Sequence, residues 1–294
     1  MDASVSVILE GRSYLECPRW HPDDNGIGRI WVSDFYTHEV ISALPDGTDV
    51  RVEAVVEGQP SGLGWLHDGR LLVVSMTDKT VLRREITGEL VVHADLSDYA
   101  TGHANDMYVD LEGRAYVGNF GFDLMNMAPI ETASLVRIDT DGSVHEVATD
   151  LHFPNGMALT SNGELLVDET IGNRVSAFTI AEDGSLGERR DWATFGALPT
   201  GTDMAEGLSQ VVVAADGCAL APDGTLWAAD ALGQRVVQVR EGEGLVDEIK
   251  FDTGVFACGF GGDDGRTLFV CAAPDFNEHA RKDAREGKLL AVRI

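Results

Sequence analysis

Asn105–Asn119 reads NDMYVDLEGRAYVGN, two short β-rich runs joined by an acidic turn that closes on Gly113. Its second half, GRAYVGN, has five counterparts: GRIWVSD from Gly28, GRLLVVS from Gly69, GELLVDE from Gly163, GTLWAAD from Gly224 and GRTLFVC from Gly265. The copies are spaced by about 40 to about 60 residues, the span of one propeller blade.

Each copy runs on through a polar turn into another strand: HEVISAL, KTVLRRE, SLVRIDT, NRVSAFT, QRVVQVR and KLLAVRI. VRVEAVV from Val50, LVVHADL from Leu90 and VHEVATD from Val144 supply outer strands after a further turn. The expected fold is therefore all-β, a six-bladed propeller of four-stranded antiparallel blades with a central metal site, in a single domain over residues 1–294. KLLAVRI leaves no sequence after it for an outer strand, so SVSVILEG, from Ser4, is expected to close the ring and remove the exposed sheet edge. A β-sandwich is the competing architecture, but it requires no sixfold recurrence.

Composition narrows the partners. With 49 acidic against 22 basic residues, the net charge of −27 repels nucleic-acid phosphates and anionic lipid surfaces. MDASVSVILEGRSYLE has neither a basic n-region nor a long apolar h-region, and no later run is long enough to span a bilayer, so a cytoplasmic location is expected. Cys17, Cys218, Cys258 and Cys271 lack a CxxC spacing and read as buried thiols. No signature of oligomeric state is apparent.

A shared register points to the site. Eight positions before the turn glycine stand Ser61, Asn105, Asn155 and Asp216. Glu16 opens the similar ECPRWHPDDNG, which carries two extra residues, and Ala257 or Cys258 takes this level in the last blade. Innermost strands run beside a propeller's axis, so residues at one register form a ring. Glu16, Asn105, Asn155 and Asp216 then offer oxygens to a divalent cation, calcium first, with magnesium, manganese or zinc as alternatives. Taken alone, Asn155-Gly156 and Asp216-Gly217 read as turns; the common register argues for the ring.

No GxSxG elbow, HExxH helix or Walker loop is present. Ser61 and Cys258 lack a base and are expected to line the pocket. Asp106 is expected to point away from the channel by strand alternation. Asp34, Asn119 and Glu169 end second strands and could form an outer shell. Phe122, Met125 and Met127 lie in the connection Gly121–Thr132, one of two long excursions, with Ala197–Ala215, suited to a lid. Pro274–Gly287 reads as a short helix or loop.

LECPRW from Leu15, NDMYVDLEGRAYVGNFG from Asn105, FPNGMALTSNGELLVDET from Phe153, DGCALAPDGTLWAAD from Asp216 and FACGFGGDDGRTLFVCAAPD from Phe256 resemble the SMP-30/gluconolactonase/LRE (regucalcin-like) family over nearly the whole chain. The resemblance implies a six-bladed propeller whose divalent ion is held by Glu16, Asn155 and Asp216. Asn105 would complete the coordination or bind substrate. It also implies a metal-dependent hydrolase acting on a small-molecule lactone or related ester. Two positions depart from the family pattern. His103 stands near a position where an Arg often binds sugar, and Asp168 replaces a small residue before Glu169.

In the expected chemistry the metal polarises the lactone carbonyl and Asp216 accepts a proton from the attacking water. His103 is an alternative base or a substrate contact. A noncatalytic propeller that binds calcium or a partner is the alternative function, and a strictosidine-synthase-like condensation is a third that would not need this metal set.

Overall fold

The computed structural model describes residues 4–294, and within them it forms six antiparallel sheets of four strands each. The innermost strands of blades 1 to 6 are Leu15–Pro22, Pro60–Trp65, Ala104–Val109, Pro154–Leu159, Ala215–Leu220 and Gly254–Gly261. Each repeated seven-residue segment supplies the second strand of its blade, as Ala115–Asn119 does in blade 3. The N-terminal strand Val5–Arg12 pairs antiparallel with Gly287–Arg293, so blade 6 combines both ends of the chain, as the sequence led us to expect.

The near-continuous apolar runs follow from burial on both faces. In blade 2, Leu71 and Val73 pack towards blade 1 with Trp31 and Val40, whereas Leu72 and Val74 pack towards blade 3 with Met107 and Val117. Alternation along one strand thus feeds two blade interfaces. Leu72, Val73 and Val74 are each 0% exposed, and burying each contributes about 1.5–3 kcal/mol before ordering costs.

Turn chemistry fixes the repeat. Gly69, Gly113, Gly163, Gly224 and Gly265 all have φ between +66° and +84°, where a side chain would be strained. In blade 1 this conformation falls on Gly26, and the two extra residues precede it, in an innermost strand of 8 residues, Leu15–Pro22, against 6 in Pro60–Trp65. No helix among the described residues is long and apolar enough to cross a membrane.

Candidate active site

All six innermost strands shift register at the level of the ring, as between Ala104 and Met107 or Pro154 and Met157. Such a bulge places an extra residue against the second strand and breaks simple alternation. Asn155-Gly156 and Asp216-Gly217 therefore lie within strands and are not turns. Gly156 lets neighbouring blades approach: a Cβ there would lie 2.4 Å from the Asp216 carbonyl oxygen.

Glu16, Asn105, Asn155 and Asp216 line one cavity of about 780 Å³, open to solvent. Ser61 is not among its lining residues; its hydroxyl donates to Asn105 Oδ1 at 3.4 Å. Cys258 is fully buried and directed at the Gly217 and Trp227 carbonyls, while Phe256 lines the cavity in its place. Neither Ser61 nor Cys258 has the expected lining position, because the bulge sets which residue of each pair faces inward.

The bulge also corrects the reading of Asp106. Arg19 Nη2 lies 2.8 Å from Asp106 Oδ1, and Cys17 Sγ donates to the same oxygen at 3.1 Å. Arg19 belongs to blade 1 and Asp106 to blade 3, so the pair crosses the channel. Arg19 also lines a depression formed by the ends of the inner strands, together with Leu66 and Leu111.

His103 is only half-buried and does not line the cavity. Its ring centroid is 5.6 Å from that of Phe120, its Nδ1 is buried without a partner, and burial lowers its pKa. Asp168, also outside the lining, is 0% exposed with both carboxyl oxygens unpartnered. Burial, offset in part by the neighbouring Cys218 thiol and reinforced by the charges of Asp216 and Asp106, pushes its carboxyl well above the ordinary range. Asp168 therefore lies in a buried setting beside Cys218 and not in the cavity wall.

In four of the six blades the last residue of the repeated segment has a common task. Asp34 accepts the Ser13 and Tyr14 peptide N–H groups, Asn119 those of Gly102 and Gly121, Glu169 that of His152, and Asp230 that of Ala214. Each carboxylate or amide holds the loop that enters its own blade's innermost strand, and Tyr14 and Ala214 on these loops line the cavity. Asp34, Asn119 and Glu169 thus support the site from behind. Asp230 was recoverable from the sequence as the seventh residue of GTLWAAD.

The donor set suits a hard cation. Burial raises the pKa of both Glu16 and Asp216; Glu16 is raised further by Asp216 and Asp106, and Asp216 by Asp106. No Lys, Arg or His lines their cavity among the described residues, so the half-buried Glu16 and the buried Asp216 lack a counter-charge in the lining. The Asn155 amide donates to Thr170 Oγ1 at 3.1 Å, and Thr170 in turn donates to the Ala215 carbonyl at 2.8 Å. Asn155 is thereby fixed beside Asp216. No three His, Cys, Asp or Glu side chains among the described residues form a metal group, so any ion here depends on a mixed carboxylate and amide set.

The family model of the SMP-30/gluconolactonase/LRE-like region matches residues 15–274. The chain belongs to this family. Pentonolactonase XacC of Haloferax volcanii is 28% identical over 267 residues, which cover 88% of this chain and 81% of that protein. Two solved structures share the fold. A gluconolactonase from Xanthomonas campestris has a TM-score of 0.73 at 21% identity, covering 99% of this chain and 89% of its own. A calcium-binding regucalcin from Agrobacterium tumefaciens has a TM-score of 0.76 at 17% identity, covering 99% and 95%. In this SMP-30/gluconolactonase/LRE-like chain, Glu16, Asn105, Asn155 and Asp216 all fall inside the matched span.

Proposed function

We propose that this chain is a divalent-metal-dependent hydrolase that opens a lactone ring. The observation that carries the reading is the convergence of two carboxylates and two carboxamides on one cavity. Glu16, Asn155 and Asp216 would hold the ion, with calcium first and magnesium, manganese or zinc as alternatives. When bound, such an ion supplies Lewis-acid polarisation of the carbonyl and compensation of developing negative charge. The family match and the pentonolactonase relative support lactone hydrolysis. The reading treats residues 1–294 as one domain, supported by the N-terminal strand that completes blade 6.

The residues divide the work. Asn105 Nδ2 is buried without a partner, whereas its Oδ1 already accepts from Ser61. A free donor is suited to a substrate oxygen, so Asn105 is assigned to the substrate and not to the cation. Asp216 takes a proton as water adds to the carbonyl carbon and returns it to the ring oxygen as the ring C–O bond breaks, leaving a hydroxy acid. His103, outside the cavity wall, has no proton to move in this scheme. The test is hydrolysis of aldonolactones and aliphatic lactones after chelation, with calcium, magnesium, manganese or zinc restored separately. Metal-restored turnover that is lost in Asp216→Ala supports the reading; turnover unaffected by chelation overturns the metal requirement.

A further inference from the structure

Above the polar ring the cavity changes character. Three separate insertions deliver its outer wall: Phe122 and Met125 follow blade 3's second strand, Leu208 comes from the helix Met204–Ser209, and Phe276 precedes the helix Glu278–Arg281. Deeper, Phe120 and Phe153 stack with ring centroids 4.5 Å apart, and Tyr14 lies 4.9 Å from Phe256. The only carboxylates and carboxamides in the lining are the four of the ring. Three side-chain hydroxyls complete the polar lining: Thr170, already bonded to Asn155 and Ala215, and the phenols of Tyr14 and Tyr36.

We infer that the substrate is a lactone bearing an aliphatic or aromatic substituent of several carbons, and not a polyhydroxylated sugar lactone. The inference rests on the proposed lactonase reading and concerns what surrounds the reacting bond. Apart from the Tyr14 and Tyr36 phenols, the wall offers no side-chain hydrogen-bond partner off the ring, so most hydroxyls of a sugar carried into it would lose water without gaining one. A hydrocarbon substituent gains on entering: one buried methylene corresponds to about fourfold in binding. The residues supplying the outer wall come from three points in the chain, so the apolar character belongs to the assembled cavity and not to a single loop.

The experiment compares kcat/KM for γ-butyrolactone, γ-nonalactone and glucono-δ-lactone on the metal-restored protein. In parallel, calorimetry measures binding of an alkyl-substituted lactam and of gluconolactam, which keep the ring and resist hydrolysis. The expected result is at least about a tenfold higher kcat/KM for γ-nonalactone than for either other lactone, with the alkyl lactam the tighter ligand. Met125→Ser and Leu208→Ser should each reduce that preference. Faster glucono-δ-lactone hydrolysis, or tighter gluconolactam binding, overturns the inference while leaving a lactonase. Tighter alkyl-lactam binding with no turnover of any lactone supports the apolar ligand class and overturns the hydrolytic reading. Binding of neither lactam overturns the inference.

Discussion

Arg19 in the inner strand of blade 1 reaches past blade 2 to Asp106 in the inner strand of blade 3, with Nη2 2.8 Å from Oδ1. The same guanidinium donates to the Met107 carbonyl at 3.0 Å, while the Leu63 N–H donates to Cys17 Sγ, itself bonded to Asp106. Three blades are tied together in the channel beside the acidic ring. The charge on Asp106 raises the carboxyls of Glu16 and Asp216, so its neutralisation by Arg19 bears on the site as well as on the fold.

Arg19→Met is expected to destabilise the protein by about 3–5 kcal/mol, because it strands a buried carboxylate near two others. Replacing both partners, Arg19→Met with Asp106→Leu, should recover most of that loss, since the unpaired charge is then gone. Urea unfolding checks both. A double variant no more stable than Arg19→Met alone would show that the pair is not the cause.

Much of the fold was legible because each blade spends a glycine on a left-handed turn and then buries a strand on both faces, a demand visible in one chain. The oxygen-bearing ring residues were legible for the same reason: Asn105, Asn155 and Asp216 keep a fixed distance from that glycine, and Glu16 opens the similar, longer stretch of blade 1. The bulge was not, since it depends on pairing between strands. It turned Asp106 into the channel and Cys258 away from the cavity. His103 has the sequence proximity of a site residue, yet its ring sits against Phe120 outside the lining. The apolar wall comes from insertions with no repeat period; Phe122 and Met125 among its outer members were named in advance, and Leu208 falls in the Ala197–Ala215 excursion expected to form a lid. Met127, suggested with them, is 61% exposed.

Acid stability should carry the signature of Glu169. Burial raises its pKa, but hydrogen bonds from His152, Arg174 and Ser176, with the charge of Arg174, more than offset this and hold it at about 2 against an ordinary 4.5. A depressed folded value means the stabilisation is present above pH 4.5 and is lost as pH falls from there through about 2, a loss of about 3 kcal/mol. Glu169→Gln should be less stable at neutral pH and show a flatter stability profile across that window. Thermal melts from pH 2 to 7 would reveal it; an unchanged acid slope would remove Glu169 as the source.

Gly156→Ala tests whether blade contact sets the ring. The added methyl would meet the Asp216 carbonyl oxygen at 2.4 Å and the Cys218 amide nitrogen at 2.6 Å, backbone atoms that cannot swing aside. A loss of about 1–3 kcal/mol is expected, with weaker divalent-ion binding as Asn155 and Asp216 are forced apart. Gly187→Ala, whose nearest neighbour lies 3.6 Å away, is the control and should stay within about 0.5 kcal/mol. Equal effects at the two glycines would mean that close packing at the ring is not limiting.

Asn105 and Asp216 line the same cavity, but they should separate kinetically. Asn105 Nδ2 has no protein partner, and its oxygen is engaged by Ser61, so truncation removes a donor aimed at substrate while leaving Glu16, Asn155 and Asp216 intact. Asn105→Ala should lower kcat by about 10²–10³, the usual cost of losing one donor to a developing oxyanion, with metal affinity changed only a few-fold. Asp216→Ala should lose both, because it removes a carboxylate that the cation needs and the group that accepts the proton. Calorimetric metal titration beside steady-state kinetics makes the distinction. If Asn105→Ala loses metal as completely as Asp216→Ala does, Asn105 belongs to the cation, and the donor to the substrate must be sought elsewhere in the cavity.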